Sequence, residues 1–190
     1  MQSHVKATSL FHYHDRRHMP SIIRLAIPED APLLPAIETS AAQAFRMIDE
    51  LSWLAESPPM SIEHHRKLIA LSTCWVALDV GHRPQGFLSA EHSGNDLHIH
   101  ELSVIQSMQG QGIGRNLIEA AKDYARSSRL GFVTLTTFKN VPWNAPFYAR
   151  MGFHIIASTD LDQSLAAILS EEYKHGFAPQ SRCAMAWPVV

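Results

Sequence analysis

The sequence predicts an α/β fold, and three observations carry that prediction. Residues 98–115, HIHELSVIQSMQGQGIGR, read as a strand, a glycine turn and the start of an amphipathic helix. A β-rich segment, Phe132–Phe138, follows that helix after a short connection at Gly131, which completes a β-α-β unit whose two strands should be parallel. Ahead of it, residues 74–80 and 86–90 flank a turn at Gly81 to Pro84, the pattern of an antiparallel hairpin.

Residues 1–18 hold four of the twelve histidines without periodicity, so residues 1–20 read as a tail and 21–190 as one domain. Met19 stands just before the first strand, where an alternative start would lie. Residues 21–27 form that strand, and Pro28, Glu29 and Asp30 supply a turn and the acidic residues of a helix start. Leu33, Leu34, Ile37, Ala41 and Ala44 fall near helical spacing, giving a first helix to about Phe45. The pattern then loosens through Asp49, Glu50, Trp53 and Glu56 to Pro58-Pro59, as in a short helix or a flexible cover. Ser61 with His64 resembles an imperfect cap for a helix to Leu71. After the hairpin, Ser93 to Asp96 turns the chain into the strand of the β-α-β unit. The next helix carries Ile113, Leu117, Ala120, Ala121, Tyr124 and Ala125 on one side, with Arg115, Asn116, Glu119, Lys122 and Arg126 mostly opposite. A short helix spans 144–151, with Pro146 tolerated in its first turn, and ends at Gly152. A strand at 153–157, a helix at 164–174 and a strand at 182–190 complete the domain.

With 190 residues, 46% hydrophobic and 18% charged, the chain suits a single soluble domain with a substantial core. A net charge of −2 offers no general basic field, so neither nucleic acid nor anionic lipid is an expected partner. Cys74 and Cys183 stand far apart without a CxxC pattern, which sets aside a disulfide framework and a zinc motif. No apolar run approaches the roughly 18 residues of a membrane span, and no signal-peptide core is visible, so cytoplasm is the default location. His12, His14 and His18 could gather a metal, as could the i, i+2 pair His98 and His100, but both arrangements are more often incidental and no metal is expected.

Gly110, Gly112 and Gly114 leave the backbone bare at a helix start, where unpaired N–H donors and the positive dipole end favour an anion. A Rossmann fingerprint counted from Gly110 would need glycine at Arg115, and no acidic residue follows about 20 positions on. A P-loop would need lysine and serine or threonine where Arg115 and Asn116 stand. What remains is Gln109-x-x-Gly112-x-Gly114, either a phosphate cradle or a turn whose glycines serve packing.

That spacing resembles the acetyl-CoA pyrophosphate loop of the GNAT N-acetyltransferases, (Arg/Gln)-x-x-Gly-x-(Gly/Ala), and a second segment strengthens the likeness. Asn144-Ala-Pro-Phe-Tyr148-Ala-Arg-Met-Gly152-Phe153 resembles the family's Asn-x-x-(Phe/Ala)-Tyr form followed by Gly-Phe. Asn144 and Tyr148 stand four apart, on one helix face. The words around Pro142-Trp143-Asn144-Ala-Pro-Phe-Tyr148 look like those of a bacterial subgroup of this family. The resemblance runs from Ser21 to Val190 and implies a central mixed, mostly antiparallel twisted sheet of six to seven strands flanked by helices, with a parallel splayed strand pair at the acetyl-CoA cleft.

It also implies the chemistry. Backbone N–H groups around Leu102, Ser103 and Val104 would hold the pantetheine and thioester carbonyl, and Gln109, Gly110, Gln111, Gly112, Ile113, Gly114 and Arg115 the pyrophosphate. Asn144 and Phe147 would bind the cofactor arm; read from its place alone, Asn144 is instead an N-cap, and the two roles could coexist. Tyr148 would protonate the CoA sulfur. Glu101, on the alternating strand face of Leu97, Ile99 and Ser103, is either the base for the amine, directly or through water, or a structural or rim carboxylate. The segment from Phe45 to Met60, between the first two helices where the family builds its acceptor cover, is expected to contribute Trp53 as an apolar wall and Glu56 or Glu50 for a cationic amine, and Phe138 is a further candidate acceptor contact. The expected activity is transfer of acetyl from acetyl-CoA to a primary amine, with a small molecule favoured over a protein, peptide or charged tRNA. A homodimer is allowed. A non-catalytic acyl-CoA sensor is the reading from another class, and would need the glycine loop but no acid.

Overall fold

The computed structural model describes residues 22–178 and 180–190; the histidine-bearing tail lies outside the described residues. Its elements are β1 (Ile22–Leu25), α1 (Leu34–Ala42), α2 (Ile62–Ala70), β2 (Cys74–Leu78), β3 (Pro84–Ser93), β4 (Asp96–Val104), α3 (Ile113–Ser127), β5 (Phe132–Phe138), α4 (Ala145–Arg150), β6 (His154–Ile155), α5 (Gln163–Lys174) and β7 (Arg182–Pro188). All the strands join one sheet in the order β1-β2-β3-β4-β5-β7-β6. Every pairing is antiparallel except β4 with β5. Among the described residues no helix is long and apolar enough to cross a membrane.

The period of 3.6 along α3 lays Ile113, Leu117, Ala121 and Ala125 on Leu97, Ile99, Val133 and Leu135, the main core. On the other face Leu34, Ile37 and Ile69 from α1 and α2 meet Val76 and Phe87. Leu34 and Leu117 have no exposed surface, and burial of each such leucine contributes about 1.5–3 kcal/mol. Ser61 does cap α2, its Oγ accepting the His64 N–H at 3.2 Å. The first helix ends earlier than the apolar spacing predicts. After Ala42 the chain tightens into two 3-10 helices, Gln43–Met47 and Asp49–Glu56, pinned together by Gln43 Nε2 donating to the Ala55 carbonyl at 3.0 Å.

Lys122 departs from its expected place on the solvent side of α3. It is 4% exposed, donates to the Met151 carbonyl at 2.6 Å, and lies 4.8 Å from the Trp187 ring centroid. Its stem packs as an apolar chain while its head ties α3 to the end of α4. Lys122→Ala should therefore cost about 2–4 kcal/mol of stability, read as a lowered urea midpoint.

The feature that most affects the site is a bulge in β4. Ser89 pairs with Glu101 and Ala90 with Ile99, so His100 has no partner on β3 and the alternation reverses there. Strict alternation put Glu101 with Leu97 and Ile99. Instead Leu102 and Val104 join those residues beneath α3, while Ser103, opposite Phe87, and Glu101 turn to the side of α1 and α2.

Candidate active site

The parallel ladder is short: only Leu97–Ile99 of β4 pair with Val133–Leu135 of β5. Beyond it β5 stays with β7 while β4, past its bulge, stays with β3, and the two strands part. A cavity of about 790 Å³ fills the opening, running from the glycine turn to Phe45, Phe138, Trp143 and Phe177.

At one end Gly110 and Gly112 adopt φ of 75° and 87°, the left-handed region that glycine enters without strain. Gly112 is the N-cap of α3 and has no side chain to satisfy the first turn, so the turn's N–H groups are available to an anion. Gln109 folds back, its Nε2 donating to the Val104 carbonyl at 3.0 Å, and so closes the turn onto the end of β4. Gly110, Gly112, Ile113, Gly114 and Arg115 line the cavity. Gln111 does not; its side chain bonds the Ser107 carbonyl at 3.2 Å on the outer surface.

Glu101 and Tyr148 both line this cavity. The Ser103 hydroxyl donates to Glu101 Oε1 at 2.6 Å, and both residues line the cavity with Leu102 and Val104. Burial pushes the Glu101 carboxyl up to about 7, reinforced by the charge of Glu38; the Ser103 bond and the charges of Arg182 and His65 pull the other way. Tyr148 is 8% exposed, its ring packed edge-on between Phe147 at 5.1 Å and Phe153 at 5.8 Å. Burial, and then the charge of Glu101, drives its phenol well above the ordinary value, so the hydroxyl keeps its proton across the working pH range.

Asn144 precedes α4 without capping it. Its Nδ2 donates to Thr137 Oγ1 at 2.9 Å, and its Oδ1 is buried without a hydrogen-bond partner. An unused buried acceptor is costly unless something donates to it. Phe147 lines the cavity beside Gly114, its Cζ 3.7 Å from where a Cβ on that glycine would stand.

The three expected acceptor contacts separate. Phe138 lines the cavity; Trp53 stands behind the lining, tilted on Phe177 at 5.5 Å; Glu56 points outward toward Arg46, 3.8 Å away. His98 is buried, bonded to Thr134 Oγ1 at 3.0 Å and lowered to about 4 by burial and by His100. Among the described residues no three His, Cys, Asp or Glu side chains gather as metal ligands. Sequence reasoning missed Glu38, Phe177 and Arg182, all in the cavity wall, whereas Phe45 belongs to the segment expected to help form the acceptor site. Glu38 had a legible signal: it stands four after Leu34 and three before Ala41, inside the apolar stripe of α1.

The same architecture occurs in solved structures. The PaiA N-acetyltransferase of Thermoplasma acidophilum, in complex with coenzyme A, is 17% identical over 90% of this chain and 99% of that one, with a TM-score of 0.65. An acetyltransferase of the GNAT family from Staphylococcus aureus is 16% identical over 90% and 100%, at 0.62. N-acetylglutamate synthase of Neisseria gonorrhoeae, complexed with coenzyme A and N-acetyl-glutamate, is 15% identical over 92% of this chain and 36% of that one, at 0.65. Residues 37–153 match the model of the acetyltransferase (GNAT) family, more than half of the sequence. The chain belongs to the GNAT acetyltransferase family.

Proposed function

We propose that the protein transfers the acetyl group of acetyl-CoA to a primary amine on a small molecule. One observation carries the reading: the glycine turn, the Glu101 carboxyl and the Tyr148 phenol face a single cavity. The cradle at residues 110–115 takes the pyrophosphate, the open Asn144 Oδ1 accepts an N–H of the pantetheine arm, and main-chain N–H groups near Leu102 to Val104 hold the thioester carbonyl. The amine, arriving as an ammonium, gives one proton to Glu101, directly or through water; its nitrogen then bonds the thioester carbon and releases a second proton to solvent. The C–S bond then breaks and the thiolate takes the Tyr148 proton, which solvent replaces. Coupling aids the sequence. The Glu101 charge raises the phenol, so once Glu101 has taken the amine's proton that obstacle to proton donation falls away. A sensor of acyl-CoA would need the cradle, but not a carboxyl beside a buried phenol.

Glu101 acts as a base only when ionised, so kcat/KM should rise as pH passes upward through about 7 and level off above it. A pH–rate profile should show that limb in the natural protein and lose it in Glu101→Gln. The same shift has a cost in stability. A carboxyl that titrates near 7 rather than 4.5 binds protons more readily in the folded state, so stability declines as pH rises across that interval. The activity itself is tested by thiol release from acetyl-CoA in the presence of an amine panel.

A further inference from the structure

Past Glu101 the cavity ends in a braced aromatic wall. Phe45 meets Phe138 at 5.6 Å and Trp143 at 5.8 Å between centroids, and Phe177 meets Phe138 at 5.3 Å with Trp53 behind it at 5.5 Å. A second carboxylate joins this wall. Both oxygens of Glu38 accept the Met60 N–H, at 3.1 and 3.2 Å, which uses one donor where an ionised carboxylate has room for about four. Behind it His65, 1% exposed, has neither ring nitrogen hydrogen-bonded, and its Nε2 stands 3.6 Å from Glu38 Oε2. Glu38 is also the charge that most raises Glu101.

Two arginines of the cavity wall are engaged elsewhere. Arg182 gives Nε and Nη2 to Glu172 at 2.9 and 2.6 Å, and its guanidinium stands 4.5 Å from the Phe138 centroid and 5.0 Å from that of Phe177. Arg115 belongs to the glycine end, where its Nε reaches Met151 Sδ.

We infer that Glu38 is the ammonium-binding carboxylate of the acceptor site, and that the acceptor is a primary amine on an aromatic or bulky apolar body with no carboxylate beside the amino group. The inference rests on the acetyl-transfer reading above and narrows it. An arriving ammonium relieves the repulsion between Glu38 and Glu101, while its body covers ring faces that water otherwise wets. The two acids divide the work, Glu38 holding the charge and Glu101 receiving the proton. A free amino acid fits poorly, because its carboxylate would enter between two like charges with Arg182 already paired.

The test is calorimetric titration of 2-phenylethylamine, phenylalanine and spermidine into protein saturated with CoA. Phenylethylamine should bind at least tenfold more tightly than either of the others. Glu38→Gln keeps an oxygen for the Met60 N–H but loses the charge, and should weaken phenylethylamine about 10–100-fold with CoA affinity unchanged. Equal binding of phenylalanine or spermidine, no binding of phenylethylamine, or undiminished binding by Glu38→Gln overturns the inference. If that variant does not fold, the three-ligand comparison on the natural protein decides alone. Turnover is read separately: the predicted binding pattern without acetylation would sustain the acceptor site and overturn the transferase reading instead.

Discussion

Tyr148→Phe should lower the acetylation rate by about 10²–10⁴, some 3–5 kcal/mol of barrier, while acetyl-CoA affinity stays nearly unchanged. Phenylalanine keeps the ring that packs between Phe147 and Phe153, so the core loses nothing and only the proton is removed. The hydroxyl enters each cycle protonated, and it gives the proton up more readily once Glu101 has been neutralised by the amine's proton. Turnover must be measured with the amine saturating, alongside acetyl-CoA affinity on the same preparation. Near-normal turnover would make water the donor to the thiolate, and a parallel fall in affinity would make Tyr148 a binding residue.

Gly112→Val should weaken CoA about 100-fold or more. At φ 87° a β-branched residue is strained by about 1–3 kcal/mol, and the turn would relax by moving the N–H groups that face the pyrophosphate. Loss of two charge-assisted bonds, each about 1.5–3 kcal/mol, accounts for that fall. The strain lies in a partly exposed turn ahead of α3, whose core-facing Leu117, Ala121 and Ala125 are untouched, so the variant should fold. Calorimetry with CoA decides. Undiminished affinity in a folded variant would place the pyrophosphate elsewhere.

Periodicity located β5 to the residue and α3 nearly so, because Phe132–Phe138 is β-rich throughout and α3 has a clean apolar face. The same reasoning failed at His100, since a one-residue bulge depends on how β3 and β4 pair rather than on either strand alone. Glu101 was named as a candidate base, yet alternation set it with Leu97 and Ile99 beneath α3; of its three expected neighbours only Ser103, beyond the bulge, stays with it. Lys122 was misplaced for a related reason: the rings and carbonyl that accept it come from Trp187, Phe153 and Met151, distant in sequence. Glu56 was chosen for its place in the family's acceptor cover and points outward, whereas Glu38, set in an apolar stripe, faces the cavity. Local spacing identifies a cradle and a helix face; a cavity wall assembled from α1, β5, β7 and two loops does not follow from spacing.

The central claim is that one cavity binds acetyl-CoA and passes its acetyl group to an amine. Acetyl-CoA carrying isotope only in the acetyl group, incubated with the protein and a panel of primary amines, tests it by mass spectrometry. The account predicts a labelled N-acetyl product and an equal amount of free CoA, formed by the natural protein and strongly reduced in Tyr148→Phe. Tight CoA binding with no labelled amine, or CoA release as free acetate alone, would contradict it.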